Sequence, residues 1–211
     1  MVKVSTSILS IKNNLIDNIK KVNETDTDFI HYDIMDGNFV TNTSFSFDEI
    51  DSINKYVSKP LDVHLMVSDP EEYIKFYKNL YPEYITIHYE IDNYQKYINM
   101  IKENNIKAGL SIKPSTSVEV LYDILDKIDL VLIMSVEPGK GGQKFIDDSL
   151  VKIQKLRKYI DDNKLNTVIE VDGGINDITS KKCINSGVDI LVSGSYITNY
   201  ENYQEQINKL R

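Results

Sequence analysis

The chain has 211 residues, of which 41% are apolar and 27% charged, and its formal net charge is −8. This length suffices for one domain with a substantial core, and the composition is typical of soluble globular proteins. The acidic balance and the lack of a dense Lys/Arg cluster argue against nucleic-acid binding, and the longest apolar run, Leu130–Met134, is far too short to span a membrane.

The cysteine content and the N-terminal sequence bear on the compartment. The single cysteine, Cys183, cannot form an intrachain disulfide, and the N-terminus carries no apolar signal segment. These features predict a cytoplasmic protein. The negative net charge still allows an anionic small substrate, because a metal ion and helix N-termini create a local positive site.

Short apolar or β-branched runs alternate with segments that have helical spacing of apolar residues. Predicted strands cover residues 3–9, 29–33, 61–66, 84–88, 108–112, 130–134, 168–172 and 190–193. Predicted helices cover residues 15–22, 47–57, 70–80, 94–101, 118–125, 150–159, 178–186 and 203–210. Asp69-Pro70-Glu71-Glu72 and Ser117 are start signals for two of these helices.

Eight strand–helix units predict an α/β fold, a single (β/α)8 TIM barrel domain over residues 1–211. The alternative, a doubly wound open sheet, requires a glycine-rich turn after the first strand, and Ser7-Ile8-Leu9-Ser10 contains none. Barrel enzymes carry their chemistry at the C-terminal strand ends. The unusual polar residues fall at those ends, namely Ser7, His31, Asp33, His64, His88, Ser135, Asp172 and Ser195.

A divalent-metal site is the first chemistry that these residues suggest. Side chains alternate across a strand, so His31 and Asp33 share one face, with His64 on the next strand and Asp172 on a third. Such a mixed nitrogen and oxygen site suits one divalent cation, Zn, Fe(II), Mn or Co, and ligand type alone does not choose among them.

The two carboxylates of that set, Asp33 and Asp172, stand on separated strands and approach a bound substrate from different sides. A metal that holds a ketose carbonyl stabilises the enediolate formed when a neighbouring C–H loses its proton. One carboxylate removes that proton and the other returns one to the opposite face, which inverts one carbon without redox chemistry.

Other polar and sulfur-containing residues near these strand ends allow more than one interpretation. His88 has no clear metal role and is interpreted as a structural or supporting residue. Asp62 either points inward or orients His64, and Asp36 before Gly37 is interpreted as a turn residue. The strand ends also carry Met35, Met66 and Met134, which either pack in the core or shield the reacting carbon from water.

Three glycine-containing turns follow the last three predicted strands and suggest a phosphate site. Barrel enzymes often bind phosphate on backbone amides after strands seven and eight, so a phosphosugar substrate is predicted. Lys140 and Lys144 either help to hold the phosphate or are solvated loop residues. The glycine and serine positions of these turns are Gly139, Gly141, Gly142, Gly173, Gly174, Gly194 and Ser195.

Together these motifs resemble the ribulose-phosphate 3-epimerase family, and the resemblance covers nearly the whole chain. The family patterns are Ser7-Ile8-Leu9, His31-x-Asp33-Ile34-Met35-Asp36-Gly37, Asp62-Val63-His64-Leu65-Met66, His88-x-Glu90, Met134-Ser135-Val136-x-Pro138-Gly139-x-Gly141-Gly142-Gln143-x-Phe145, Asp172-Gly173-Gly174 and Val192-Ser193-Gly194-Ser195. Four positions depart from the family pattern, and Ser46, where a Gly is common, and Ile112-Lys113-Pro114, which replaces a common Asn-Pro, are two of them. Lys140 replaces a frequent aromatic residue, and Thr41-Asn42 keeps only the Asn of a usual Pro-Asn pair.

The resemblance implies interconversion of D-ribulose 5-phosphate and D-xylulose 5-phosphate by a homo-oligomer, dimeric or hexameric. It implies that His31, Asp33, His64 and Asp172 bind the metal and that the two aspartates transfer protons. It also implies that the three methionines crowd the enediolate. Substrate contacts are implied for Ser7, His64, Gly139, Lys140, Gly141, Gly142, Asp172, Gly173, Gly174, Gly194 and Ser195.

Three rival interpretations stay open at this stage. A close relative in the family acts on D-allulose 6-phosphate, one carbon longer. Related barrel decarboxylases and aldolases carry Asp-x-Lys-x-x-Asp on the third strand, where this chain has Asp62-Val63-His64-Leu65-Met66-Val67. A non-catalytic phosphosugar-binding barrel needs the phosphate loops but not two opposed carboxylates.

Overall fold

A computed structural model describes residues 1–211. Eight parallel strands form one closed barrel in sequence order, with each strand paired to its chain neighbours and the last paired to the first. The strands are β1 (Lys3–Ser7), β2 (Phe29–Met35), β3 (Leu61–Met66), β4 (Tyr84–His88), β5 (Lys107–Ile112), β6 (Leu130–Met134), β7 (Val168–Asp172) and β8 (Ile190–Ser193). The predicted TIM barrel is confirmed, and the open-sheet alternative is excluded.

Helices surround the barrel. They are α1 (Leu15–Asn23), α2 (Phe47–Asn54), α3 (Glu71–Tyr77), α4 (Tyr94–Glu103), α5 (Asp148–Asp162), α6 (Thr179–Ser186), α7 (Ser195–Thr198) and α8 (Tyr203–Leu210). None of them combines the length and apolar character that a membrane crossing demands. Cys183 is buried in α6 as a free thiol.

The two faces of each strand have different neighbours, which explains the sequence pattern. Outward residues such as Tyr32 and Ile34 are fully buried and belong to the large apolar core of 46 residues. The inward residues of the same strand include His31 and Asp33, which are also buried. The barrel interior is therefore polar toward its C-terminal end, where a site is expected.

The structure differs from the predicted elements in several places. Between β5 and β6, the predicted helix is a 3-10 segment, Val118–Lys127, and Ser117 makes no capping bond to its backbone because its hydroxyl contacts Glu119 instead. The four-residue helix α7 was not predicted, because so short an element has no periodicity to detect. The first strand ends at Ser7 and the second continues to Met35, since strand ends follow ladder pairing rather than apolar runs.

Candidate active site and metal centre

The structure brings the four predicted metal ligands together. One donor atom each from His31, Asp33, His64 and Asp172 lies within 4.8 Å of the other three. The pairing of β2 with β3 places Asp33 directly beside His64, and β7 supplies Asp172 from the far side of β1 and β8. The alternation of side chains along parallel strands thus assembles the cluster.

His31 is oriented by a carboxylate behind it. Its Nδ1 lies 2.7 Å from Oδ2 of Asp62, which also accepts a hydrogen bond from the Ser5 hydroxyl at 2.7 Å. Of the two interpretations that the sequence left open for Asp62, the one in which it orients His64 is therefore wrong. In the β2–β3 register Asp62 stands beside His31, not beside Asp33, so its carboxylate reaches the nearer ring. Carboxylate-bound imidazoles of this kind are typical of metal ligands.

Two ring nitrogens face one carboxylate oxygen. The Nε2 of His31 and the Nδ1 of His64 each lie 3.3 Å from Oδ1 of Asp33. The Nε2 of His31 is buried and has no hydrogen-bond partner. Three donor atoms that converge on one point, with the Asp172 carboxylate nearby, fit the nitrogen and oxygen ligand set of a divalent cation.

The electrostatics of His31 agree with that fit. Burial opposes a charge on the ring, but Asp62 and Asp33 raise the pKa of His31 well above 6.5. The two carboxylates therefore favour positive charge at this position, which a bound cation would supply.

The environments of the two aspartates push their pKa values apart. Burial opposes ionisation of Asp33, but the positive charge of the His31 ring holds its pKa well below 3.8. Burial and then the negative charge of Asp33 raise the pKa of Asp172 to about 7. Two neighbouring carboxyl groups whose pKa values differ in this way are the arrangement from which acid and base roles are assigned in enzymes.

A third histidine and a carboxylate stand behind His64. The Nε2 of His88 lies 2.9 Å from Nε2 of His64, and the Nδ1 of His88 lies 3.1 Å from Oε2 of Glu90. Burial lowers the pKa of His64, and it lowers that of His88 to about 4. As predicted for a supporting residue, His88 contacts a proposed ligand rather than the ligand cluster itself.

A cavity of about 710 Å³ opens above this cluster at the C-terminal end of the barrel. His31 and His64 are fully buried and do not line the cavity, so the substrate contact of His64 stays a prediction. The remaining predicted site residues all line the cavity: Ser7, Asp33, Met35, Met66, Met134, Gly139, Lys140, Gly141, Gly142, Asp172, Gly173, Gly174, Gly194 and Ser195.

Two glycines in the β7 turn are required by space and backbone shape. Gly174 has φ +65°, and a Cβ there would stand 2.5 Å from the backbone nitrogen of Phe145. Gly173 has φ +121°, and a Cβ would meet Val136. The turn therefore packs tightly against the β6 loop. That loop is also held by Asn42, whose side-chain NH₂ donates to the Gly139 carbonyl at 2.9 Å.

The two loop lysines lie at the cavity, and Asp36 lies in a turn. Lys140 and Lys144 are exposed, line the cavity and form no ion pair. Asp36 accepts hydrogen bonds from the backbone N–H groups of Asn38, Phe39 and Ser68, which confirms its role in a turn.

Sequence reasoning missed Glu170. This β7 residue is fully buried, both of its carboxyl oxygens lack partners, and it groups with His31 and Asp62 within 4.8 Å. Burial and then the charge of Asp62 raise the pKa of Glu170 well above 4.5. Glu170 lies two residues before Asp172. Side chains alternate along a strand, so this spacing places both residues on the inward face of β7 and could have identified Glu170.

Comparison with known proteins identifies the family to which the chain is similar. A sequence profile of the Ribulose-phosphate 3 epimerase family matches residues 3–198. The ribulose-phosphate 3-epimerase of Bacillus subtilis is 37% identical over 214 residues, covering 100% of this chain and 99% of that protein. The protein of the same name from Synechocystis is 39% identical, covering 99% of this chain and 92% of its own length.

Solved structures with the same fold are more distant in sequence. KGPDC from Streptococcus mutans superposes with a TM-score of 0.73 at 12% identity, covering 100% of this chain and 95% of that one. The 3-hexulose-6-phosphate synthase of Salmonella typhimurium has a TM-score of 0.72 at 20% identity, covering 99% and 96%. At such identities the likeness extends to the barrel fold alone.

Proposed function

The chain belongs to the ribulose-phosphate 3-epimerase family, and on that premise we propose that it interconverts D-ribulose 5-phosphate and D-xylulose 5-phosphate. The observation that carries this proposal is the pair of carboxylates of Asp33 and Asp172. They stand on β2 and β7, line one cavity, and lie within reach of the same two histidine nitrogens. Two opposed proton-transfer groups are what inversion of a C–H centre requires.

In the proposed reaction the two aspartates act on opposite faces of C3. Asp33 is ionised and accepts the C3 proton, while Asp172 delivers a proton from the other side; in the reverse direction their roles exchange. The Ser7 hydroxyl donates to Oδ2 of Asp33 at 2.7 Å and so fixes the orientation of that carboxylate. Held in this way, the base loses little freedom when the substrate binds.

His31, Asp33, His64 and Asp172 are the proposed ligands of one divalent cation, which when bound polarises the C2 carbonyl and stabilises the negative charge that develops on its oxygen. The mixed donor set is compatible with Zn, Fe(II), Mn or Co. Metal analysis of the purified protein by mass spectrometry identifies the ion.

The rest of the cavity positions the substrate and excludes water. Met35, Met66 and Met134 are buried and line the cavity around the carboxylates, where their apolar side chains shield the reacting carbon. We assign the phosphate to the turns after β6, β7 and β8, whose glycines leave backbone N–H groups open to an anion. Lys140 and Lys144 add positive charge at the same end of the cavity.

Self-association of the chain stays a prediction that light scattering checks.

Solvent exchange tests the proposal directly. Metal-loaded protein is incubated with D-ribulose 5-phosphate in D₂O, and both sugars are analysed by NMR. We expect xylulose 5-phosphate to form with deuterium at C3. Binding of the sugar with no exchange at C3 would contradict the proposal and support a non-catalytic phosphosugar-binding barrel.

A further inference from the structure

A line of three polar groups runs through the wall of the barrel behind the proposed metal centre. It begins at His64 on β3, passes through His88 at the end of β4, and ends at Glu90 in the loop that follows. The two imidazoles approach through their Nε2 atoms at 2.9 Å, and the Nδ1 of His88 lies 3.1 Å from Oε2 of Glu90. Both rings are fully buried, so water does not take the place of either partner.

The chemistry of Glu90 sets the direction of the hydrogen bonds along this line. The hydrogen bonds from His88, the backbone N–H of Lys113 and the Thr116 hydroxyl outweigh the effect of burial and lower the pKa of Glu90 to about 2. An ionised carboxylate only accepts hydrogen bonds. His88 must therefore donate through Nδ1, which leaves a lone pair on its Nε2.

The tautomer of His88 in turn determines the tautomer of His64. Because Nε2 of neutral His88 is an acceptor, Nε2 of His64 must be the donor in the 2.9 Å contact. A neutral imidazole carries one N–H, so the Nδ1 of His64 has a free lone pair. That lone pair points at Oδ1 of Asp33, 3.3 Å away, which is the direction a metal ligand requires.

We propose that Glu90, acting through His88, fixes His64 in its Nε2–H tautomer and is thereby a positioning residue for the cation site. The proposal rests on the proposed function in one respect, the assignment of His64 as a metal ligand. Glu90 itself touches neither the cavity nor the ligand cluster.

The surroundings hold Glu90 and His88 in place. The Oε1 atom of Glu90 accepts from the backbone nitrogen of Lys113 at 2.8 Å and from the hydroxyl of Thr116. Lys152 donates to three carbonyls of that same loop, at residues 113, 114 and 116. The ring of Phe39 packs against His88 with centroids 4.6 Å apart. Glu90 therefore has fixed donors on one oxygen and one free oxygen for His88.

We call the hydrogen-bonded series Glu90–His88–His64 the relay. Glu90→Gln tests it because the substitution reverses the direction of the hydrogen bond to His88 while the shape of the side chain is kept. The amide oxygen is retained by the Lys113 N–H and the Thr116 hydroxyl, so the NH₂ group faces Nδ1 of His88. His88 must then accept there and donate from Nε2, and His64 receives its proton at Nδ1, the ligand position. We expect affinity for Zn²⁺, measured by competition with a chelating dye, to fall about 10- to 100-fold.

Glu49→Gln is the matched control. The Glu49 carboxylate also accepts from one backbone N–H and one hydroxyl, both of Ser46, but no histidine lies beside it. We expect this variant to bind Zn²⁺ with wild-type affinity.

The tautomer itself can be observed, since the chain has only three histidines. In Zn²⁺-loaded protein with ¹⁵N-labelled imidazoles, we expect NMR to show His64 protonated at Nε2 and His88 at Nδ1. In Glu90→Gln before Zn²⁺ is added, we expect the proton of His88 at Nε2 and that of His64 at Nδ1. Wild-type tautomers in the variant, with Zn²⁺ affinity within about twofold of wild type, would overturn the proposal.

Glu90→Ala separates a relay from a purely structural role. If Glu90 only held the β5 loop, the truncation would weaken Zn²⁺ binding more than the isosteric amide. The relay predicts the reverse, because alanine leaves His88 free to adopt the required tautomer whereas glutamine opposes it. A larger loss in Glu90→Ala than in Glu90→Gln would contradict the proposal. These readouts do not depend on turnover, so failure of the epimerase assignment is recognised separately by absent activity in a wild-type protein that binds Zn²⁺.

Discussion

The Nδ1 atom of His64 and the Oδ1 atom of Asp33 face each other across 3.3 Å at neighbouring positions of β2 and β3. Both side chains are buried. In the tautomer proposed above, Nδ1 of His64 directs a lone pair at this carboxylate oxygen, which is unfavourable in a low-dielectric interior unless a positive charge lies nearby. The barrel therefore holds these two groups in an arrangement that a bound cation stabilises.

Removal of the cation should abolish activity and lower stability. Chelation followed by gel filtration should yield inactive protein, and a divalent cation should restore turnover. Since the cation binds the folded state only, its addition should also raise the melting temperature. Thermal unfolding with and without added Zn²⁺ or Mn²⁺ checks this. Full activity in protein with no detectable metal would contradict the metal-site assignment.

Replacement of either aspartate carboxyl group should strongly reduce turnover while the fold is preserved. Asp33→Asn and Asp172→Asn should each reduce kcat by at least about 10² to 10⁴-fold, the usual contribution of a general acid or base. Metal content is measured in both variants, because each residue is also a proposed ligand. Asp36→Asn is the control, since that carboxylate holds a turn outside the cavity. Near-wild-type activity in either test variant would refute the two-carboxylate mechanism.

Much of this architecture could be predicted from the sequence. The boundaries of five strands agree with the predicted ranges, because their apolar runs coincide with the paired segments. The grouping of His31, Asp33 and His64 was predictable from strand alternation. Asp172 required the fold as well, because only barrel closure brings β7 near β2.

Other features depend on contacts that no local pattern encodes. The pairing of Asp62 with His31 follows from the β2–β3 register, which sequence spacing alone does not fix. Glu90 contributes through His88 and through a loop after β5, so its role appears only when three separate segments are in place. The 3-10 geometry of Val118–Lys127 has the apolar spacing of an ordinary helix and differs only in backbone hydrogen bonding.

The turn after β7 should not tolerate a side chain at Gly174. An added Cβ meets the backbone of Phe145 at 2.5 Å, and the residue has φ +65°. Gly174→Ala should therefore displace the β6 loop from the β7 turn, raise KM for the phosphosugar and reduce stability by about 1 to 3 kcal/mol. Gly142→Ala is the comparison, because it also has positive φ but nothing lies within 4 Å of the added Cβ. Equal losses of stability in the two variants would contradict the packing role of Gly174.

Glu90 should make stability depend on pH in the acid range. The hydrogen bonds and charge of its partners outweigh burial and lower its pKa from 4.5 to about 2 in the folded state. The unfolded chain therefore binds its proton first as the pH falls, so the stabilising contribution is present above about pH 4.5 and is lost toward pH 2. Urea unfolding across this range should show a shallower pH dependence for Glu90→Gln than for wild type. The same pH dependence of the free energy of unfolding in both proteins would show that the Glu90 carboxylate does not contribute to it.

Parallel turnover of the metal-loaded protein on D-ribulose 5-phosphate and D-allulose 6-phosphate tests the central claim most directly. We expect epimerisation at C3 with a kcat/KM at least about tenfold higher for the pentulose phosphate, a difference of about 1.4 kcal/mol in transition-state binding. A preference for the hexulose phosphate would contradict the substrate assignment while retaining the two-carboxylate site. No epimerisation of either sugar by protein with a full complement of metal would contradict the claim that Asp33 and Asp172 are an epimerase pair.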